Sequence, residues 1–263
     1  MFRRLLGHAI AGLRGLSSFT WFGLDTVGEM AGHLRRRRAP LRRELFFEQT
    51  ARVGVGSVPL VALVSLFLGL TTSLLVGYEL RRLGAEQSVP GFVGVAFTRE
   101  LGALITGIVV AARSGAAFTA ELGTMTVSEE VDAIEGMGIG PLRYLVAPRI
   151  LASFLMLPAL SVVANLAAIG GGMVVAWAQF DISARQFYNF MMESLVLRDV
   201  WAGLLKSFLF GLVIGVIACY KGVTTARGAI GVGTSTTSSV VTSITSVIAC
   251  DTLCNVILTR LWE

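Results

Sequence analysis

The chain has 263 residues, of which 54% are hydrophobic and only 15% are charged, and its mean hydropathy is +0.73. A soluble domain of this length would carry far more charge, so the composition indicates an integral membrane protein. The apolar runs are continuous and do not alternate, which argues against a β-barrel and favours one all-α domain. The formal net charge of +5 comes mostly from the N-terminal region, where it indicates attraction to anionic lipid headgroups and not to nucleic acid.

Residues 1–52 are predicted to form amphipathic and elbow helices before the membrane domain. Residues 1–34 have apolar side chains at roughly helical spacing but no run long enough to span, which predicts an interfacial helix. The basic block of residues 35–38, continued by Arg42 and Arg43, predicts a cytoplasmic N-terminus. Residues 41–52 then predict a short elbow helix that enters the bilayer.

Residues 53–263 are predicted to form a domain that crosses the bilayer five times. Five apolar segments reach or exceed the roughly 20 residues that a spanning helix needs, namely residues 53–77, 91–112, 142–178, 200–220 and 234–258. Five crossings place the C-terminus on the outer side. The last segment is rich in Ser and Thr, whose hydroxyls can bond back to helix carbonyls inside a bundle, and a re-entrant segment remains the alternative. Pro148 and Pro158 predict a kink or a division in the third span.

Small residues recur every four positions in the second span, at Gly107, Ala111 and Gly115. Such a stripe lets another helix approach closely. The pattern fits packing within one subunit and packing between subunits equally well.

Residues 112–150 separate the second and third spans and are polar, glycine-rich and acidic. Residues 126–135 predict a short helix, with Ser128 as its N-cap and early acids that suit the helix dipole. Gly136 and Gly138 are expected to end it. A short acidic helix between two spans resembles the coupling helix of an ABC-transporter permease, which docks on a separate ATPase. The coupling residues are then Val127, Glu129, Glu130, Asp132, Glu135 and Gly136.

The run A-R-S-G-A-A-F-T-A-E-L-G at residues 112–123 is more specific. It resembles the MlaE-type permease family, also called YrbE-type, over about residues 45–251. The resemblance implies a homodimer in the bacterial inner membrane with a lipid pocket open to the periplasm. Its implied partners are a cytoplasmic ABC ATPase, a periplasmic MCE-domain protein and, as a further candidate, a STAS-domain protein.

Four ionisable residues fall inside predicted spans, namely Arg99, Glu100, Lys206 and Asp251. Charges are expensive in hydrocarbon, so each should face protein or water. Their depths along the helices agree and place all four in the outer half of the bilayer. Arg99 and Glu100 are adjacent and point about 100° apart, so we expect each to need a partner on another helix, supplied in part by Lys206 and Asp251.

These charges are interpreted as the polar wall of a lipid-headgroup cavity. The alternative is a neutral ion-pair network that only holds the bundle together. Leu70, Leu74 and Tyr78 are predicted to add apolar wall for acyl chains, and plain lipid-facing positions are the alternative for these three.

The predicted function is that of a non-catalytic permease subunit that moves phospholipids between the inner and outer membranes. The chain lacks the G-x-x-x-x-G-K-[ST] motif, so ATP is expected on the partner and no cofactor on this chain. The first alternative is an ion-coupled carrier that uses the same charges without an ATPase. The second is an intramembrane enzyme, disfavoured because His8 and His33 both lie in the N-terminal region. The three cysteines are predicted to be packing residues, and no metal site is expected.

Overall fold

The computed structural model describes residues 43–262, and this part of the chain is built from helices without a β-strand. Five helical stretches are long and apolar enough to cross a membrane, which confirms the predicted all-α membrane architecture. These are spans 1 to 5, comprising Glu44–Arg82, Glu86–Val127, Leu142–Phe180, Leu197–Val223 and Ala229–Arg260. The predicted interfacial helix of residues 1–34 and the basic block that follows it lie outside the described residues.

Ten α-helices make up the spans and their connections. They are α1 (Arg43–Val53), α2 (Val58–Arg82), α3 (Val89–Ala96), α4 (Gly102–Val110), α5 (Ala116–Val127), α6 (Glu130–Gly136), α7 (Ala147–Phe180), α8 (Ala184–Ser194), α9 (Leu197–Val223) and α10 (Ala229–Trp262). Three π-helical turns interrupt or precede these helices, namely Phe97–Leu101, Ala111–Gly115 and Leu142–Val146.

Several predicted boundaries were wrong. The first span was expected to end at Gly77, but α2 continues to Arg82, and Arg81 and Arg82 suit the negative end of the helix dipole. The polar segment of residues 179–199, expected to have some helical character, contains α8, whose N-cap Ser183 forms a capping box with Gln186.

The fifth span lies within α10, one continuous helix of 34 residues, so the re-entrant alternative is excluded. Its hydroxyls bond back to the preceding turn, as Thr237 does to the Gly233 carbonyl at 3.1 Å and Thr245 to the Val241 carbonyl at 2.9 Å. Pro158 lies inside α7, whereas Pro148 stands in its first turn, where the missing N–H removes no helical hydrogen bond.

Spans 1 and 3 pack with their backbones nearly in contact. A Cβ atom on Gly69 would lie 2.0 Å from the Ala168 carbonyl oxygen, and one on Gly171 would lie 2.5 Å from the Leu66 carbonyl oxygen. Ser73 also donates a hydrogen bond of 3.1 Å to the Gly172 carbonyl. Because neither helix could carry a side chain at these points, glycine sets the distance between the two spans.

The small-residue stripe of span 2 packs within this subunit. A Cβ on Gly107 would lie 3.2 Å from Val247 Cγ1 on span 5, and one on Gly115 would lie 3.4 Å from Ile214 Cγ2 on span 4. Deeper along the same face, buried Thr119 Oγ1 lies 2.8 Å from Ser239 Oγ and 3.0 Å from the Ala218 carbonyl oxygen. Spans 2, 4 and 5 therefore form a tightly packed group, and the charged residues lie where these spans meet.

Candidate functional site

A cluster of charged side chains, here called the outer ionic cluster, lies between spans 2, 4 and 5. Its centre is the ammonium group of Lys206, whose side chain is fully buried. Lys206 Nζ contacts Glu100 and Asn255 and lies 3.1 Å from Asp251 Oδ1. Glu100 and Asn255 accept hydrogen bonds from this ammonium group, and Asp251 adds an ion pair to it. The prediction that Lys206 supplies Glu100 with a partner is confirmed.

The second cation of the cluster is Arg99. Its Nε lies 3.6 Å from Glu100 Oε1, and its Nη1 lies 3.8 Å from Asp199 Oδ1. As expected, each of the adjacent residues Arg99 and Glu100 has a partner on another helix, namely Asp199 for Arg99 and Lys206 for Glu100. Both residues belong to the π-helical turn Phe97–Leu101.

Asp199 is a member of the cluster that the sequence did not predict. It lies in the first turn of α9, where Oδ2 accepts a hydrogen bond of 3.2 Å from the Val196 backbone N–H. The sequence interpretation assigned Asp199 to the polar outer segment before the fourth span. It therefore did not place Asp199 among the intramembrane charges. The usable signal was an acid three residues after a possible helix start, the position at which a carboxylate caps a helix.

The exposure of the side chains in the cluster differs along the bundle axis. Asp199 stands near the start of α9 and Lys206 seven residues later, which separates them by roughly 10 Å along the helix axis. The side chains of Arg99 and Glu100 are 36% and 30% exposed, whereas those of Asp251 and Asp199 are more deeply buried. A ligand that approached from the surface would therefore meet Arg99 and Glu100 first.

The three predicted wall residues belong to a different part of the molecule. Leu70 and Leu74 pack against an apolar cluster of span 3 and α8 that includes Phe180 and Phe187. The exposed Tyr78 ring meets the Phe180 ring edge-on, with centroids 6.0 Å apart. The structure thus ties these residues to spans 1 and 3, and contact with acyl chains remains a prediction for them.

The acidic segment at the opposite end of span 2 contains a helix, but its boundaries differ from the prediction. Helix α5 continues to Val127, the chain turns at Glu129 with a left-handed φ of 61°, and α6 then runs over Glu130–Gly136. Ser128 is not its N-cap. The Ser128 hydroxyl lies 3.0 Å from the Thr124 carbonyl and 2.9 Å from Glu130 Oε1, so it serves the end of α5.

Helix α6 is attached by an apolar side and exposes its acids. Val131 is buried and Ile134 packs beside it, against a cluster that includes Leu145 and Ile150 of span 3. All the predicted coupling acids are exposed, as is the glycine at the end of the helix; these residues are Glu129, Glu130, Asp132, Glu135 and Gly136. Val127 is half-buried at the end of α5.

Two exposed apolar residues, Met137 and Ile139, follow α6 directly. The surface formed by these two residues and the exposed acids of α6 is here called the acidic docking surface. It combines negative charge with an apolar edge.

An inner ion-pair network lies close to this surface. Glu121 on α5 contacts Arg52 at the end of α1, and its Oε2 lies 3.1 Å from Arg149 Nη2 at the start of α7. Arg149 is buried, donates to the Leu145 carbonyl at 2.7 Å and lies 6.0 Å from the centre of the Phe118 ring. One carboxylate thus connects both helices that flank the acidic segment with α1, the helix at the start of span 1.

Comparison with known proteins decides the family. The sequence model described as Permease MlaE matches residues 46–257. The chain belongs to the MlaE permease family. The resemblance inferred from residues 112–123 is therefore confirmed, over almost the range expected.

Relatives of this MlaE-family chain carry transporter names. A probable ABC transporter permease protein of Rickettsia prowazekii is 32% identical over 236 residues, 90% of this chain and 89% of its own length. One from Synechocystis is 37% identical over 221 residues, 84% of this chain and 83% of its own. The Arabidopsis thaliana protein TRIGALACTOSYLDIACYLGLYCEROL 1, chloroplastic, is 38% identical over 237 residues, 89% of this chain and 67% of its own.

The MlaE family and these names establish the general role of the chain. It is a multi-pass transmembrane permease subunit of an ABC transporter, with a non-catalytic part in transport. An ABC permease works with an ATPase partner. Within the described residues no group of three His, Cys, Asp or Glu side chains could hold a metal ion, and Cys219, Cys250 and Cys254 are free thiols.

Proposed function

We propose that this MlaE-family permease moves phospholipids between the inner and outer membranes of a bacterial envelope. The observation that carries the proposal is the outer ionic cluster, which leads from the outer end of α9 to buried Lys206 and exposes one cation and one carboxylate. Few molecules in a membrane combine a charged headgroup, which could bind these two residues, with an apolar body. The printed name of the Arabidopsis relative refers to a glycerolipid, which also supports a lipid substrate.

The lipid headgroup is proposed to bind at Arg99 and Glu100. Lys206 and Asn255 hold Glu100 from behind, and Asp251 pairs with Lys206, so the Glu100 carboxylate keeps one position while a ligand enters. Pre-positioned charges in a site of low dielectric bind more strongly than charges that must first be ordered. Acyl chains are proposed to run along the apolar side chains of Leu70, Leu74 and Tyr78.

The energy is proposed to arrive through α6. A cytoplasmic ABC ATPase would bind the acidic docking surface, and ATP would stay on that partner. The apolar attachment of Val131 and Ile134 to span 3 would pass a displacement of α6 to the membrane helices. Glu130, Asp132 and Glu135 would supply the charged contacts, and the flanking residues Val127, Glu129 and Gly136 would set the position of the helix.

A second copy of the chain is proposed to cover span 5. Only 17% of the apolar window of span 5 is buried within the subunit, against 67% for span 4. The exposed part of α10 carries hydroxyls such as Thr237 and Thr245 beside Val241, a mixture that suits a protein neighbour better than lipid tails.

This homodimer would sit in the inner membrane with its N-terminus in the cytoplasm and its C-terminus in the periplasm, where an MCE-domain protein would join it. A STAS-domain protein is a further candidate partner on the cytoplasmic side.

The test is purification of the complex in mild detergent, followed by measurement of ATP hydrolysis with and without added phospholipid. We expect an ATPase to co-purify and its hydrolysis to rise with lipid, and both effects to be lost in a Glu130→Lys/Glu135→Lys variant. Glu193→Lys on α8 is the matched control, because it reverses an exposed acid far along the chain from the acidic docking surface. Lipid transport that follows a proton gradient without ATP would instead support the ion-coupled carrier.

A further inference from the structure

We infer that the outer ionic cluster selects phospholipids with a zwitterionic headgroup over anionic phospholipids. This inference rests on the proposed transport function and adds the class of lipid that the site accepts. It follows from the charge of the cluster and from which of its groups a ligand can reach.

The cluster contains more carboxylates than cations. Arg99 pairs with Glu100 and Asp199, and Lys206 pairs with Glu100 and Asp251, so these five linked groups carry a formal net charge of −1. An anionic headgroup without an ammonium group would enter a site that is already negative. Like charges brought together in a medium of low dielectric repel strongly, so such lipids would be disfavoured.

Buried Lys206 cannot compensate for this excess by binding a phosphate. Its side chain is fully buried, and its ammonium group already donates to Glu100 and Asn255 and pairs with the Asp251 carboxylate. A phosphate could reach it only by displacing one of these partners. Such a displacement would leave a buried carboxylate without its cation, which is strongly unfavourable.

The two exposed charges of the cluster match a zwitterion. Glu100 Oε2 accepts a hydrogen bond of 3.0 Å from Asn255 Nδ2 and also contacts Lys206, so Oε1 is the oxygen on the side of Arg99. A phosphate beside the Arg99 guanidinium would form charge-assisted hydrogen bonds. The ammonium group of the same headgroup, an ethylene unit away, would then lie beside Glu100 Oε1. A headgroup with both charges satisfies both residues, whereas a bare phosphate satisfies only Arg99.

The test is competition among lipids with identical acyl chains. The purified complex is incubated with an equimolar mixture of palmitoyl-oleoyl phosphatidylethanolamine, phosphatidylglycerol and phosphatidic acid, and the retained lipids are identified by native mass spectrometry. We expect phosphatidylethanolamine to be enriched about fivefold over each anionic lipid, the size expected from partly exposed charge pairs. In Glu100→Gln the enrichment should fall to near unity, while Glu193→Gln should retain it.

A second variant covers the case in which Glu100→Gln does not assemble. Asp199→Asn leaves all three partners of Lys206 in place and keeps an oxygen for the Val196 N–H, yet it removes the excess negative charge. We expect its enrichment to fall at least twofold towards the anionic lipids.

The outcomes separate this inference from the function on which it rests. If the wild-type protein binds the lipids in the proportions supplied, or prefers the anionic ones, the proposed selectivity is wrong. The proposal of ATP-driven lipid transport is not affected by that result. Unchanged enrichment in both variants would overturn the assignment to this cluster. A complex that retains no lipid, and whose ATP hydrolysis ignores lipid, would remove the proposed function itself.

Discussion

Arg149 Nη2 lies 3.1 Å from Glu121 Oε2, and this contact joins the first turn of α7 to α5, the two helices that flank the acidic segment. The other oxygen of the same carboxylate contacts Arg52 on α1. Because Arg149 is buried, the pair is shielded from solvent on one side and should be stronger than a surface ion pair. A displacement of α6 would therefore carry α1, α5 and α7 together.

The first prediction is that Glu121→Gln weakens both the fold and the coupling of ATP hydrolysis to transport. The change leaves the buried Arg149 guanidinium without its carboxylate, which should lower the free energy of unfolding by about 1–3 kcal/mol. It should also reduce the amount of lipid moved per ATP hydrolysed, because the helices beside α6 no longer move as one unit. Thermal unfolding in detergent and a transport assay in liposomes measure the two effects.

Glu48→Gln is the matched control for this change. Glu48 also contacts Arg52, but at 3.5 Å and with a mostly exposed side chain, so its loss should change stability by less than about 0.5 kcal/mol. If Glu121→Gln unfolds at the wild-type temperature and moves lipid with wild-type efficiency, the inner network has neither role.

The second prediction concerns the contact between spans 1 and 3. A Cβ atom on Gly69 would lie 2.0 Å from the Ala168 carbonyl oxygen, and backbone cannot rotate away as a side chain can. Gly69→Ala should therefore push the helices apart and lower the unfolding free energy by about 1–3 kcal/mol. Gly170→Ala serves as control, because nothing lies within 4 Å of a Cβ at that position. Equal unfolding temperatures for the two variants would contradict the close packing.

The number and location of the spans could be predicted from the sequence because continuous apolar runs have no other stable arrangement in a bilayer. The ends of the helices could not. Residues beyond Gly77 are polar, yet they continue α2 because backbone hydrogen bonds extend a helix whatever its side chains meet outside the bilayer. Similarly, the acids of residues 126–135 marked a helix, but the left-handed turn at Glu129 moved its start to Glu130.

The candidate site was predictable only in part. Charges within apolar runs identified Arg99, Glu100, Lys206 and Asp251, because such residues must find partners inside the bundle. Which of them pair depends on a π-helical turn and on the rotation of span 5, and neither leaves a clear trace in the sequence. Glu121 was visible as an acid in the family motif, but its two arginines come from helices that only the fold brings beside it.

The third prediction separates a structural role of the outer ionic cluster from a transport role. Lys206→Met removes the buried cation between Glu100 and the more deeply buried Asp251, which should cost about 3–5 kcal/mol of stability because Asp251 loses its counter-charge. Adding Asp251→Asn removes one carboxylate and leaves Glu100 with Arg99, so most of that stability should return. The unfolding temperatures of both variants and of wild type give this comparison.

Transport by the Lys206→Met/Asp251→Asn variant then decides between the two roles. If the cluster binds the lipid headgroup, transport should remain well below wild type although the fold has recovered, because Glu100 has lost the groups that hold it in position. Wild-type transport by the stabilised double variant would mean that the charges serve only to hold the bundle together.

The fourth prediction is that the acidic docking surface faces the cytoplasm and α8 faces the periplasm. In a chain without its native cysteines, Met137→Cys and Tyr188→Cys place one thiol beside α6 and one on α8, at residues that are 67% and 57% exposed. A membrane-impermeant maleimide added to cells with a permeabilised outer membrane should label only the thiol at position 188. Disruption of the inner membrane should make position 137 reactive as well. Labelling at position 137 before disruption would put the acidic docking surface on the side without ATP, and an ATPase could not act on the permease there.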